Sequence, residues 1–290
     1  MWCVGKMLFF FVTLQAKYFL LKMDFSKVLF ISQEISPYLP ATKLAKAGQF
    51  LPQLVQEAGY EVRTFMPKYG CINERRNQLH EVIRLSGVNL IIDDTDHPLI
   101  IKVATLQPAR LQVYFIFSDD YFSRNICKEL ETVSSPDDND ERSIFFVRGV
   151  FETVKKLRWE PDIVQCGGWI TALAAVYLKK FYNEDSAFRD TKVVYSIVDN
   201  DLVAPLDARM AEKIQADGID DDVLKSLIGK PVDYKELTKL AIANSDGVLQ
   251  RCENLDPEIL QFIKDSGKPF VPYNGEELNA QSYIDFYKSL

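Results

Sequence analysis

The chain has 290 residues, with 34 Lys+Arg against 41 Asp+Glu and a net charge of −7. This acidic balance excludes nucleic acid as the main partner, because phosphate backbones require basic excess. A hydrophobic content of 47% excludes wholesale disorder and is ample for one large core or two small ones.

Residues 1–22 contribute Lys6, Lys17 and Lys22 and no acid, so the remaining 268 residues carry −10. The apolar run Leu8–Val12 is far short of the roughly 20 residues a spanning helix needs, and no small-residue cleavage site follows it. Met23 stands directly before a strong strand pattern. It is read as the natural start, with residues 1–22 the product of an upstream start; a signal or membrane tether is the alternative. With Met23 as the start, no membrane association is expected and the protein is placed in the cytoplasm.

Val28-Leu29-Phe30-Ile31 is a continuous apolar run within Lys27–Ser32, as in a strand covered on both faces. Leu44, Ala47, Leu51, Leu54, Val55 and Ala58 follow at helical spacing, Gly59 ends that helix, and Glu61–Met66 is the next strand. This is a βαβ unit of a parallel sheet. Glu81–Leu85, Asn89–Ile92, Leu99–Leu106 and Leu111–Phe117 are β-rich and separated by turn signals, predicting antiparallel hairpins inserted into or extending the sheet. After a polar loop, Ser134–Asp140, helical spacing returns from Glu141 to Leu157, with Asn139 or Asp140 as its cap. Strands are then predicted at Asp162–Gln165, Lys192–Ile197, Val248–Gln250 and Phe270–Val271. Helices are predicted at Trp169–Phe181, Asp207–Gln215, Asp233–Asn244, Pro257–Lys264 and Glu276–Tyr287. The pattern is α/β: a single Rossmann-like, doubly wound, mainly parallel sheet with a β-hairpin extension.

The five cysteines, Cys3, Cys71, Cys127, Cys166 and Cys252, are widely spaced and read as free thiols. With only His80 and His97, no multi-histidine metal site is possible, and no metal or cofactor is expected. The loop after the first strand, Glu34 to Lys43, is where an open α/β sheet binds ligands. It holds no glycine-rich phosphate motif, which argues against nicotinamide or P-loop chemistry. Lys43 and Lys46 either meet an anion or are solvated helix lysines. Gln165-Cys166-Gly167-Gly168-Trp169 joins a strand end to a helix start; Trp169 either offers a face to a sugar ring or packs in the core. Asp137–Glu141 lacks calcium-loop spacing, Asp220-Asp221-Asp222 reads as a solvated helix approach, and no G-x-S-x-G elbow occurs. Cys166 reads as a buried thiol.

Several ordered segments resemble the N-terminal, catalytic domain of the bacterial glycogen and plant starch synthases, from about Lys27 to about Lys264. They are Glu34 with Pro37, Pro67-Lys68-Tyr69, Tyr121-Phe122-Ser123-Arg124, Asp138-Asn139-Asp140-Glu141-Arg142 with Phe145-Phe146, Trp159 with Pro161-Asp162-Ile163-Val164, Trp169 with Thr171-Ala172-Leu173, and Ala243-Asn244-Ser245-Asp246. The resemblance implies one half of a GT-B fold, in which two Rossmann-like domains face a cleft. It implies retaining transfer of glucose from ADP-glucose to an α-1,4-glucan, with Trp169, Thr171, Tyr121, Arg124 and Asn139 as substrate-side candidates.

The departures fall where that family's chemistry lies. Its K-T-G-G-L-G-D-V aligns to Pro40–Ala47, putting Pro40 at the donor lysine, Thr42 and Lys43 at two glycines and Lys46 at the acid. Its H-D-W becomes Gly167-Gly168-Trp169, and its T-I-H-N ends in Val198-Asp199. No catalytic residue is therefore assigned.

The remaining length is taken as residues 23–275, one such domain, with 276–290 a terminal helix packing back on it. The expectation is a synthase-like half, inactive alone, needing a partner protein that supplies a donor-binding domain. The alternative is a pseudoenzyme that binds α-glucan or ADP-glucose and regulates glycogen metabolism.

Overall fold

The computed structural model describes residues 26–123, 137–200, 202–275 and 279–290. The leader, Met23 and Arg124 lie outside these residues. The first unit is strand β1 (Lys27–Ser32), helix α1 (Lys43–Glu57) and strand β2 (Glu61–Pro67). Gly59, at φ 98°, turns the chain between helix and strand. β1 pairs in parallel with β2.

The hairpin region gives β3 (His80–Glu81), β4 (Val88–Ile92), β5 (Thr95–Leu106) and β6 (Leu111–Phe117). β6 is parallel to β2, and β5 runs antiparallel to β6, with β3 and β4 antiparallel to β5. The predicted strand Glu81–Leu85 stops at Glu81. Residues 82–86 form a turn in which the N–H groups of Leu85 and Ser86 both donate to the Val82 carbonyl, which withdraws them from a ladder.

A one-turn helix, α2 (Asp119–Phe122), and the long α3 (Asn139–Lys156) follow. The residue preceding α3 is Asp138, so Asn139 and Asp140 lie inside the helix and do not cap it. β7 (Ile163–Gly167) leads through a 3-10 turn, Trp169–Thr171, into α4 (Leu173–Lys180). The predicted helix Trp169–Phe181 is thus two pieces. After β8 (Lys192–Ile197) come α5 (Met210–Ala216), α6 (Asp222–Ser226) and α7 (Tyr234–Ala243). The predicted start of α5 at Asp207 is displaced because the Asp207 carboxylate accepts from the Arg209 N–H in a preceding turn. Asp221, expected in a solvated helix approach, is instead buried and caps the helix that follows, α6, by accepting from the Leu224 N–H. β9 (Gly247–Gln250), α8 (Pro257–Ser266), β10 (Phe270–Val271) and α9 (Ala280–Lys288) complete the described chain.

The sheet order is β10-β9-β8-β7-β1-β2-β6-β5-β3, with β4 paired to β5. Strand order reverses about β1, which lies between β7 and β2. Strand alternation builds both faces. Leu29, Ile31, Val164, Cys166, Val193 and Tyr195 join the core beneath α3 and α4. Val28, Phe30, Ile163, Val194 and Leu249 join α1 and Tyr283, Ile284, Phe286 and Tyr287 of α9 on the opposite face. A Cβ on Gly247 would stand 2.7 Å from the Leu290 side chain and 2.8 Å from the Phe286 ring, so a larger residue there would push these two side chains aside.

Candidate functional site

A cavity of about 460 Å³ opens at the carboxyl ends of β1, β7, β8 and β9, between α1 and α9. This is the switch point of the sheet, where open α/β folds take ligands. Phe30, Leu44, Ala47, Leu51 and Pro52 give it apolar walls, while Ser32, Gln165 and Ser196 supply polar atoms. It brings together Thr42, Lys43, Gly167, Val198 and Asp199 of the sequence candidates. Pro40, Lys46 and Gly168 are not among its lining residues.

The loop after β1 is locked from within. Thr42 accepts from the Ala45 N–H at 2.9 Å, capping α1, and donates to the buried Glu34 carboxylate at 2.6 Å. The start of α1 thus holds a capping hydroxyl and a carboxylate where a phosphate would otherwise approach the helix N–H groups. The charged lining is Glu34, Asp199 and Glu253 against Lys43 and Arg251, with no cationic excess.

Gly168 sits at φ +95°, and a Cβ there would lie 2.5 Å from Gln33 Oε1. The turn after β7 has therefore adopted a backbone that excludes a side chain at this position. Behind it, Gln165 donates to Ser196 and accepts from the Tyr287 hydroxyl at 3.0 Å, tying α9 to the cavity floor. Burial pushes the Cys166 thiol up to about 12, so it is no nucleophile at neutral pH.

The other sequence candidates lie elsewhere. Trp169 is fully buried, as its core-packing reading expects, and its indole N–H has no partner among the described residues. Thr171 is also fully buried and donates to the Gly168 carbonyl at 2.9 Å. Tyr121 and Asn139 are turned inward. The Tyr121 hydroxyl meets Glu141 and His97, each at 2.9 Å, and Asn139 accepts from Arg142 at 3.3 Å. Arg142, 1% exposed, also donates to the Tyr121 carbonyl at 3.0 Å and lies over the Phe122 ring. None of these four lines the cavity. Cys166 and Cys252 are free and buried, whereas Cys71 is disulfide-bonded, which corrects the expectation of a free thiol there. Among the described residues no helix is long and apolar enough to cross a membrane.

The family model for the starch synthase catalytic domain matches residues 27–248, more than half of the chain. The chain belongs to this family. Among curated relatives, this starch synthase-type domain is 39% identical over 173 residues to a glycogen synthase of Chlorobium chlorochromatii and 38% identical over 172 residues to one of Chlorobaculum tepidum. Each match covers 59% of this chain and 35% of the relative, so the chain spans about a third of the length of the curated relatives it matches. Its fold is similar to the catalytic domain of starch synthase IV from Arabidopsis thaliana bound to ADP and acarbose, with TM-score 0.67 and 19% identity over 88% of this chain and 52% of that one.

Sequence reasoning located the two turns that face the cavity but missed Glu34 and Ser196 as its polar lining, and Tyr283 and Tyr273 as its far wall. The first two carried a readable signal, since Glu34 opens the loop two residues past β1 and Ser196 is the penultimate residue of β8, both at the carboxyl edge. Tyr283 reaches the cavity through the return of α9 and Tyr273 through the segment after β10, placements that no local pattern discloses.

Proposed function

We propose that this domain is the acceptor-side half of a glycogen or starch synthase-like protein and transfers no glucosyl group by itself. The observation that carries this reading is the first βα loop, where Thr42 and Lys43 replace two glycines and Thr42 is bonded to buried Glu34. A diphosphate would have to displace that pair and then face a carboxylate. Electrostatic groups aimed at the reacting centre account for orders of magnitude in rate. Here the positions that would carry them are Gly167, Gly168, Val198 and Asp199. Turnover in this reading requires a partner protein that supplies the donor-binding domain and closes the cavity against water.

The cavity has no cationic excess, so its preferred ligand is a neutral α-glucan end over ADP-glucose. Hexose rings carry apolar faces and hydroxyl edges that match walls such as Phe30 and Leu51 beside Ser32 and Ser196. Calorimetry on the full chain with maltohexaose and with ADP-glucose tests this: maltohexaose is expected to bind more tightly. Failure of both to bind would reduce the carbohydrate link to ancestry.

A second reading, a non-catalytic regulator of glycogen metabolism, draws on the contrast between inward-turned family motifs that persist and cavity-facing ones that do not. Affinity capture from the native cell separates the two. A protein carrying only a donor-binding domain supports the first; a complete synthase supports the second. The cytoplasmic setting is supported by free, buried Cys166 and Cys252 and opposed by the Cys71 disulfide. Thiol counting on protein alkylated at lysis decides it: four or five free thiols place the chain in a reducing compartment.

A further inference from the structure

The terminal helix α9 lies beyond residue 248, where the match to the starch synthase family model ends, yet it forms one wall of the cavity. Its attachment is apolar and polar together. Tyr283, Ile284, Phe286 and Tyr287 pack with Val28, Phe30, Ile163, Val194 and Leu249 on the sheet face that α1 also covers. The Tyr287 hydroxyl donates to Gln165 Oε1 at 3.0 Å, and Gln165 in turn bonds Ser196. Gln165, Ser196 and Tyr283 all line the cavity.

Tyr283 stands apart within this lining. It is 1% exposed, and among the cavity-lining side chains it alone holds a buried polar atom, its hydroxyl, with no hydrogen-bond partner among the described residues. A buried hydroxyl has given up its bonds to water, and leaving it unpaired costs more than a made bond gains. The ring is fixed by other contacts. The Arg251 guanidinium lies over it at 5.6 Å, and the Tyr287 ring is 6.3 Å away. A phenylalanine would keep those ring contacts, so packing by itself does not call for the hydroxyl. What remains for the hydroxyl is a group that enters the cavity.

We propose that Tyr283 is a ligand-binding residue whose hydroxyl pairs with a hydroxyl of the sugar the cavity takes, so that α9 gives the site a specificity element outside the stretch the family model matches. The assignment rests on the reading of the cavity as an α-glucan site and names a side chain that selects for it. A phenolic O–H both donates and accepts, as does each sugar hydroxyl, so the pair needs no charge on either side. This suits a cavity whose charged lining has no cationic excess. A site built to bond a hydroxyl rejects an analogue lacking it more strongly than an apolar pocket does, because its own buried polar atom is then left unpaired.

Tyr283→Phe in the full chain tests this through two readouts. Calorimetry with maltohexaose is expected to show binding about 3- to 10-fold weaker than in the wild type. The thermal midpoint without ligand is expected to hold or rise, since the change removes a buried hydroxyl that bonds no described residue. Tyr287→Phe removes a hydrogen bond that is made, and its midpoint is expected to lie below that of Tyr283→Phe. The reverse order would show that the Tyr283 hydroxyl is bonded within the protein and would overturn the assignment. Equal maltohexaose affinities in the wild type and Tyr283→Phe would overturn it while leaving the glucan reading intact. A wild type that binds no maltohexaose would defeat the glucan reading and the assignment with it.

Discussion

Two regions of the molecule preserve the family's sequence to opposite degrees. Around Tyr121, Asn139, Glu141 and Arg142, the family-like residues remain and their polar atoms are spent on one another. Trp159 and Asp162 behave the same way: the Trp159 indole donates to Glu61 at 2.7 Å, and the Asp162 carboxylate accepts from the Ser26 and Lys27 N–H groups at the start of β1. Asp246 likewise accepts from the Val193 N–H at the start of β8, at 2.7 Å. In the turns at the carboxyl edge, by contrast, Pro40, Thr42, Lys43, Gly167, Gly168, Val198 and Asp199 all depart from the pattern the resemblance implies; Thr42, Lys43, Gly167, Val198 and Asp199 line the cavity, and Pro40, Lys43 and Asp199 are exposed. The difference teaches that the family-like residues here have their partners inside the protein, whereas the departing positions lie in turns at the carboxyl edge of the sheet.

If that contrast is sound, the largest losses of stability belong to the buried corner. Lys213→Met would leave Asp140 as an unpaired, fully buried carboxylate, and urea unfolding is expected to show a loss of about 3–5 kcal/mol. A loss below about 1 kcal/mol would show that the corner is less coupled than its geometry requires. Next, Gly168→Asp, which restores the family residue, forces a side chain onto Gln33 at positive φ and is expected to destabilise by about 1–3 kcal/mol without restoring transfer. A neutral or stabilising result would show that the turn after β7 still accommodates the family's acid. Third, the double change Thr42→Gly and Lys43→Gly reopens the loop after β1. It removes the α1 cap and costs about 1 kcal/mol. Calorimetry should show tighter ADP-glucose binding, and unchanged affinity would clear those two side chains of blocking the phosphate. Smallest of all, Asp199→Asn, at an exposed position, is expected to shift stability by no more than about 0.5 kcal/mol.

Much of the fold was legible because continuous apolar strands and 3.6-residue helices have separate periods. β1, β6 and β8 occupy the residues expected, and the helices α1, α7 and α8 lie within two residues of expectation. Failures came where a local hydrogen bond overrode propensity. The Val82 carbonyl captured the end of β3, Asp207 delayed α5, and Asp221 created α6. The candidate site was half legible. Strand ends and glycine turns marked the carboxyl edge, but whether Trp169, Thr171, Tyr121 and Asn139 face a ligand or the interior depends on contacts with α3 and α5 far away in sequence. The polar line from His97 through Tyr121 and Glu141 to Lys213 was invisible for the same reason, since its members are spread from residue 97 to residue 213.

In the proposed reading, the chain transfers no glucosyl group by itself while its buried framework holds the family's fold. Incubation of the full chain with radiolabelled ADP-glucose and maltohexaose measures this most directly. No label above the enzyme-free control should enter the glucan, with the protein folded by circular dichroism. Sustained, enzyme-proportional incorporation by the chain alone would contradict the account.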